Sequence, residues 1–141
     1  MNAQEKKLLG LKKRLLTALR KEGADFELHL MKNAAMNRLR ASLVKRNDFK
    51  GAEARKIAKE KMVNVLSFPE PEGFPHPDSR KRPLGEVYLN LDFEPKNPAR
   101  LEALMVHGVL HLLGYRHDGL RDTMKMQAME KKICGKLEIG V

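Results

Sequence analysis

The sequence predicts an α+β fold in which a small mixed β-sheet is flanked by helices. Two kinds of hydrophobic spacing support this class. Several long stretches repeat leucine or methionine at helical intervals, and shorter stretches alternate apolar and polar side chains as strands do. Glycines and prolines separate these stretches. At 141 residues, the chain is long enough to form one domain, 1–141, with a buried core.

A basic amphipathic helix is predicted at the start of the chain, within residues 1–22. Between residues 6 and 21, seven lysines and arginines are interspersed with leucines at helical spacing: Leu8, Leu9, Leu11, Leu15, Leu16 and Leu19. Gly23 is typical of a helix end. The leucine face either joins the core or meets a partner.

A strand and a second helix follow. Residues 25–31 alternate apolar and polar side chains, which predicts the first strand. Its apolar side carries Phe26, Leu28 and Leu30. Asn33 can cap a helix that ends near Asn47. The charged residues 52–61 are strong helix formers and either continue this helix or add another.

Two more strands are predicted on either side of a proline-rich loop. Residues 63–68 are apolar and β-branched, and Pro69 is expected to stop that strand. Residues 69–83 are expected to form a surface loop with basic residues at 80–82. Residues 84–91 predict a strand with three side chains on one face: Val87, Leu89 and Leu91.

Two helices complete the predicted fold. Asn97 followed by Pro98 is typical of a helix start, because asparagine can accept an N–H bond and proline is tolerated in the first turn. The predicted core residues of this helix are Leu101, Leu104, Met105 and Leu112. Asp122 or Thr123 can cap the last helix. That helix is expected to bury Met126, Met129 and Ile133.

Three of the five histidines lie on the first of these helices and the loop after it. His107 and His111 are four residues apart on one helix face, so both imidazoles can reach one ion. Gly114 can adopt the left-handed conformation that ends a helix, which lets His117 approach the same point. Three imidazoles without a fourth protein ligand are typical of catalytic zinc. The sequence therefore predicts one Zn²⁺ per chain, bound by His107, His111 and His117.

Other residues bear on whether this metal site is open and on which reaction it could catalyse. Cys134 could close the site as a fourth ligand, although a lone cysteine on an apolar helical stripe more often packs in the core. His29 and His76 are predicted to be surface or packed residues. Gly108 stands where His-Glu-x-x-His proteases place their glutamate base, which disfavours peptide hydrolysis.

Three segments occur in an order that matches a known family. Residues 64–69 read Asn-Val-Leu-Ser-Phe-Pro, residues 84–87 read Leu-Gly-Glu-Val, and residues 107–117 read His-Gly-Val-Leu-His-Leu-Leu-Gly-Tyr-Arg-His. On these motifs the chain resembles the YbeY family of bacterial zinc-dependent endoribonucleases and ribosomal RNA maturation factors. The resemblance implies an α+β fold and cleavage of single-stranded RNA in ribosomal RNA processing and ribosome quality control. Ribosomal RNA precursors and proteins of the small ribosomal subunit are the implied partners, and either water or the RNA 2′-hydroxyl can be the attacking group.

The chain departs from the family pattern at two positions. Arg116 stands where the family has an aspartate before the third histidine, and Asp118 follows that histidine. The family's arginine in an aromatic-Arg-Gly step is matched by Lys50 in residues 49–51, so the resemblance implies a catalytic and substrate-binding role for Lys50. Lysine supplies the charge without a planar fork for two phosphate oxygens. The alternatives for this position are Arg55, Lys59 and Lys61. Arg55 and Arg116 are further candidates for binding substrate.

Composition favours a polyanionic partner and excludes several other classes. The 28 lysines and arginines against 18 acidic residues give a formal net charge of +10. Aromatic residues make up only 5%, so contact with the RNA backbone is favoured over base stacking. No uncharged stretch approaches the about 18 residues of a membrane span, and the first residues lack a secretory signal pattern. With one cysteine, the sequence predicts a cytoplasmic protein without a membrane partner.

Two other functions are compatible with the same residues. A non-catalytic module that uses zinc for shape would bind RNA or the ribosome without turnover. A zinc hydrolase of acyl or peptide substrates would recruit a carboxylate such as Asp118 as its base.

Overall fold

The computed structural model describes residues 3–45, 64–70, 81–92, 97–116 and 118–140. In this part of the chain there are four helices and three strands. In order they are α1 (Ala3–Ala18), β1 (Ala24–Met31), α2 (Asn33–Lys45), β2 (Val65–Pro69), β3 (Arg82–Asn90), α3 (Pro98–Leu112) and α4 (Leu120–Lys136). The predicted α+β fold with a small mixed sheet is confirmed.

The sheet has β3 in its centre. β1 pairs with β3 in parallel and β2 pairs with it antiparallel, which makes the sheet mixed. Gly85 in β3 has a φ of +134° and lies opposite Pro69. A side chain at Gly85 would clash with the backbone oxygen of Phe68, so this position requires glycine.

The main hydrophobic core lies on one face of this sheet. Helix α3 packs directly on β2 and β3, and α1 and α4 pack beside α3. The predicted leucine face of α1 joins this core, with Leu15 fully buried, except that Leu9 is exposed. The predicted inward strand residues lie there too: Phe26, Leu28, Leu30, Val87, Leu89 and Leu91. Helix α2 covers part of the opposite face through a smaller cluster around Met36 and Leu66.

The predicted helix caps differ from those in the structure. Asn97 precedes α3, but its side chain makes no cap bond, and its backbone oxygen accepts the Arg100 N–H instead. Helix α4 begins after Gly119, so Asp122 and Thr123 lie inside the first turn and are not caps. Asn33 is predicted to cap α2 but is its first residue, and its side-chain oxygen accepts a bond from Asn90.

The strand ends differ for a physical reason. Pro69 was expected to stop β2 but is its last residue, because β2 pairs on only one side in the described sheet and proline needs no ladder N–H there. Strand β3 begins at Arg82, so part of the basic stretch 80–82 belongs to the sheet. The predicted helix at 52–61 and most of the loop 69–83 lie outside the described residues. None of the described helices is both long and apolar enough to cross a membrane.

Candidate metal centre

Two of the three predicted metal ligands meet on one face of α3. His107 and His111 lie one helical turn apart, and their Nε2 atoms are 3.0 Å apart. The ring centroids are 4.6 Å apart and the rings are nearly perpendicular. The helix therefore brings the two Nε2 atoms together, as the spacing predicts.

The hydrogen bond at Nδ1 of each imidazole determines which ring nitrogen carries the proton. Nδ1 of His111 lies 2.9 Å from the backbone oxygen of Tyr115. A carbonyl oxygen can only accept, so this Nδ1 donates. Nδ1 of His107 donates in the same way to Oε1 of Glu130, at 2.7 Å. In the neutral tautomers that these bonds select, both Nε2 atoms carry lone pairs that face each other.

Two facing lone pairs repel each other unless a cation lies between them. Neutral imidazoles whose Nε2 atoms converge, with the Nδ1 protons held by an oxygen, are the usual arrangement of histidine metal ligands. The donor set at His107 and His111 thus fits a divalent ion with a preference for imidazole, such as zinc.

The end of α3 directs the chain back toward these rings. Gly114 has the positive φ, +98°, that the sequence predicts for the helix end. The Tyr115 N–H then bonds to the Leu110 oxygen, which places the Tyr115 carbonyl against His111. His117, the third predicted ligand, is outside the described residues.

Glu130 is the functional residue that sequence reasoning missed. It comes from α4, and its carboxylate is partly exposed where it accepts the His107 proton. The signal in the sequence was a single glutamate on the apolar side of α4, in helical phase with Met126 and Ile133. A carboxylate on that side needs a partner, and the partner is His107, the first predicted ligand.

Close packing on the sheet fixes the position of α3. Gly108 lies over the sheet so closely that a Cβ there would come within 2.9 Å of Val87 Cγ1 and 3.0 Å of Val65 Cγ2. The Ser67 hydroxyl donates to the Gly108 carbonyl at 2.8 Å. Gly108 therefore allows the close approach that the sequence predicts, and Ser67 holds the helix in place.

Cys134 packs as the core residue that the sequence favours. Its side chain is half-buried against the main hydrophobic cluster. Burial raises the pKa of the Cys134 thiol, and the nearby carboxylates of Glu130 and Glu102 raise it further. A protonated thiol is a poor metal ligand, so these surroundings disfavour Cys134 as a fourth ligand.

The predicted substrate-binding residues are only partly within the described structure. Arg116 is exposed, beside the third histidine position, and its Nη1 lies 3.6 Å from Asp118 Oδ2. An exposed pair of this length holds Arg116 only weakly, so the guanidinium can turn to a phosphate. Lys50 and Arg55 lie outside the described residues.

A second group of potential ligands lies on the opposite face of the sheet. Glu27, His29 and Glu86 place their ligand atoms within 4.8 Å of one another, which makes them a candidate metal-binding group. His29 Nε2 is 3.3 Å from both glutamates, and its ring stacks on Tyr88. Here the imidazole can donate a proton directly to a carboxylate, so the group is satisfied without an ion.

The fold and this site define a class: a small α+β protein with a candidate metal centre on the helix that packs on its sheet. A family model described as Endoribonuclease YbeY matches residues 1–138. The chain belongs to the YbeY family.

Curated relatives carry the same name. The chain is 31% identical over 131 residues to the endoribonuclease YbeY of Myxococcus xanthus, covering 85% of this chain and 39% of the relative. It is 38% identical over 90 residues to that of Nitrobacter hamburgensis, covering 57% and 47%. For Bartonella henselae the identity is 38% over 91 residues, covering 57% and 56%. The chain thus spans about half the length of the curated relatives it matches.

Proposed function

We propose that this chain is a metal-dependent endoribonuclease in which His107, His111 and His117 hold one zinc ion. The observation that carries the proposal is the pair of converging Nε2 atoms, 3.0 Å apart, whose Nδ1 protons are both held by oxygen acceptors. Family membership supports the reaction, since the relatives are named endoribonucleases.

The protein groups around the ion have separate tasks. Zinc in such a site lowers the pKa of water or polarises a phosphoryl oxygen. Glu130 and the Tyr115 carbonyl accept the Nδ1 protons, which leaves the Nε2 lone pairs available and aims the two imidazoles at one point. Arg116 and, by resemblance, Lys50 and Arg55 would bind the phosphates and offset the charge that develops during cleavage.

The proposed substrate is single-stranded RNA, with ribosomal RNA precursors as the natural target in the cytoplasm. The formal net charge of +10 supports a polyanionic substrate, and the family resemblance supports ribosomal RNA processing with small-subunit proteins as partners.

Cleavage of a labelled single-stranded RNA by zinc-loaded protein tests the proposal. The key variant is His111→Ala, and the matched control is His29→Ala, which removes an imidazole from the opposite face of the sheet. We expect cleavage to be lost in His111→Ala and kept in His29→Ala. The reverse pattern would contradict the proposal and assign the metal to Glu27, His29 and Glu86.

Parallel assays distinguish the other two functions. Stoichiometric zinc and RNA binding without cleavage would identify a non-catalytic binding module. Cleavage of acyl or peptide substrates, with RNA left intact, would identify a hydrolase of another class.

A further inference from the structure

The outward face of α4 carries a row of basic side chains. Four exposed cations occur at intervals of four, seven and four residues: Arg121, Lys125, Lys132 and Lys136. At 3.6 residues per turn, these positions lie within about 60° of one another around the helix axis. They span about 22 Å along it, at about 1.5 Å per residue. We call these four residues the α4 cation row.

The row lies away from the buried side of α4. Met126 and Ile133 are buried and Glu130 faces His107, all on the other side of the helix. The small residue Ala128 occupies the middle of the row, so no bulky side chain interrupts it. Any macromolecule that contacts the row can therefore follow the helix without displacing core residues.

The cations of the row have no described carboxylate to balance them. Within the residues that the structure describes, none of the four forms an ion pair. The acidic residues of α4 itself are Asp122, outside the row, and Glu130, which is engaged by His107. Like charges four residues apart destabilise a helix, and Arg121 is in the first turn, where the helix dipole disfavours a cation.

The row lies on the helix that contacts the candidate metal centre. Arg121 is four residues after His117, and α4 packs on α3 through the contact between Glu130 and His107. At the other end, the exposed Arg14 of α1 donates to the Leu137 oxygen and adds a fifth cation. A line of positive charge therefore extends along α4 to the α1 side of the molecule.

We propose that the α4 cation row binds the phosphate backbone of the RNA strand. This inference rests on the proposed endoribonuclease function and adds to it the surface that holds the strand outside the cleavage site. A polyanion is the partner that relieves repulsion along the whole row at once, and the contacts are to phosphates, so binding is independent of base sequence.

Replacement of the row tests this inference. The test variant carries Arg121→Gln, Lys125→Gln, Lys132→Gln and Lys136→Gln. The control removes four exposed cations of the same types from α1, its flanking turn and α2: Lys6→Gln, Lys13→Gln, Lys21→Gln and Arg38→Gln. Both are made in the His111→Ala background, and the affinity for a fluorescent oligouridine is measured by anisotropy over a range of KCl concentrations.

The expected result is specific to the row. The test variant should bind about tenfold or more weakly, and its slope of log affinity against log salt should fall by about 2–3, because each single-strand phosphate contact contributes about 0.7. The control should bind within about twofold of the parent. In the cleavage-competent background, the row variant should raise KM while circular dichroism and zinc content stay unchanged.

Three outcomes would overturn the inference. These are an unchanged affinity in the row variant, an equal loss in both variants, or a loss of binding to anionic lipid vesicles with RNA affinity intact. If the wild type cleaves RNA and the row variant binds RNA with normal affinity, the role of the row is refuted but the proposed activity is not. Protein that binds RNA through the row but never cleaves it would refute the proposed activity alone.

Discussion

The two imidazoles of α3 owe their direction to oxygens on the far side of each ring. A carboxylate holds His107 and a backbone carbonyl holds His111, so the two rings are fixed by groups of different chemistry. The carbonyl cannot be removed by substitution, but the carboxylate can. Glu130 is thus the residue through which the centre can be weakened without changing a predicted ligand.

Replacement of Glu130 should weaken metal binding while the ligands stay in place. Glu130→Ala removes the acceptor that orients His107, and such outer partners typically contribute about 10- to 100-fold in metal affinity. Glu130→Gln should lose less, because the amide oxygen still accepts the Nδ1 proton. Affinity is measured by competition with a zinc chelator, with the exposed Lys131→Ala as control. Equal zinc affinity in Glu130→Ala and Lys131→Ala would show that Glu130 has no positioning role.

Removal of the only cysteine should leave the metal content unchanged. The raised pKa of the Cys134 thiol keeps it protonated at neutral pH, and its side chain packs on the core. We expect Cys134→Ala and the wild type to bind the same amount of zinc, one ion per chain, by elemental analysis after gel filtration. A fall to substoichiometric zinc would instead identify a closed site with a sulfur ligand.

At the scale of single residues, contacts between neighbours along the chain could be predicted from the sequence. Contacts between residues that folding brings together could not. The spacing of His107 and His111 is a local property of one helix, and so is the turn at Gly114. Glu130 meets His107 across 23 positions, and nothing local to either residue specifies that contact. The same limit applies to the group around His29, which requires β1 and β3 to be adjacent.

Among the elements, the close contact between α3 and the sheet depends on a single glycine, Gly108. Gly108 faces Val65, Ser67 and Val87, so β2 and β3 both touch the helix at the residue after His107, the first predicted ligand. The position that His-Glu-x-x-His zinc proteases give to a glutamate is therefore occupied here by a packing contact.

Gly108→Ala should destabilise the protein although alanine is the better helix former. The new Cβ would come within 2.9–3.0 Å of three side chains, and overpacking of this kind costs about 1–3 kcal/mol. Alanine recovers about 1 kcal/mol of helix propensity, so we expect a net loss of about 1 kcal/mol. Denaturant unfolding measures it.

The matched control for this substitution is Gly10→Ala in α1. A Cβ at Gly10 meets no atom within 4 Å, so only the gain in helix propensity applies, about 0.5–1 kcal/mol of stabilisation. If the two substitutions had the same effect, the close contact between α3 and the sheet would not constrain residue 108.

Element types were predictable from hydrophobic spacing, but their ends and pairings were not. The leucines of α1 and the alternation in β1 reflect burial on one side, which a sequence records directly. The cap residues differ because the backbone oxygen of Asn97 accepts the N–H bond that its side chain is predicted to accept, and because α4 begins after Gly119, which has no side chain to form a cap bond. The inclusion of Pro69 in β2 depends on its place at the edge of the described sheet, which is a property of the assembled fold.

For the molecule as a whole, alkaline pH should lower stability through two partly buried acids, Tyr88 and Cys134. Burial, then Glu86 and Glu27, raise the pKa of Tyr88, and the pKa of Cys134 is raised by its own surroundings. The folded state therefore keeps these protons at a pH where the unfolded chain releases them. Stability should be fully present below the ordinary values, about 8.5 for the thiol and about 10 for the phenol, and should fall as pH rises above them.

The contribution of these groups is measured by urea unfolding from pH 7 to pH 11. The double variant Tyr88→Phe, Cys134→Ala should show a shallower fall than the wild type, since neither group can then ionise. An identical pH dependence in both proteins would show that other groups cause the alkaline loss.

The two candidate metal groups lie on opposite faces of one sheet and offer different ligands. The centre on α3 offers imidazoles, whereas the group around His29 offers one imidazole and two carboxylates. Because α3 packs on the face that carries Val87, the adjacent Glu86 points away from it. One ion cannot bind both groups. The number of imidazole ligands on the ion therefore identifies which of the two groups is the metal centre.

X-ray absorption spectroscopy of protein loaded with one equivalent of zinc tests the central claim most directly. We predict three imidazole nitrogens at about 2.0–2.1 Å, further light-atom ligands and no sulfur. A spectrum with a single imidazole among carboxylate oxygens, or with a sulfur at about 2.3 Å, would contradict the assignment of the centre to His107, His111 and His117.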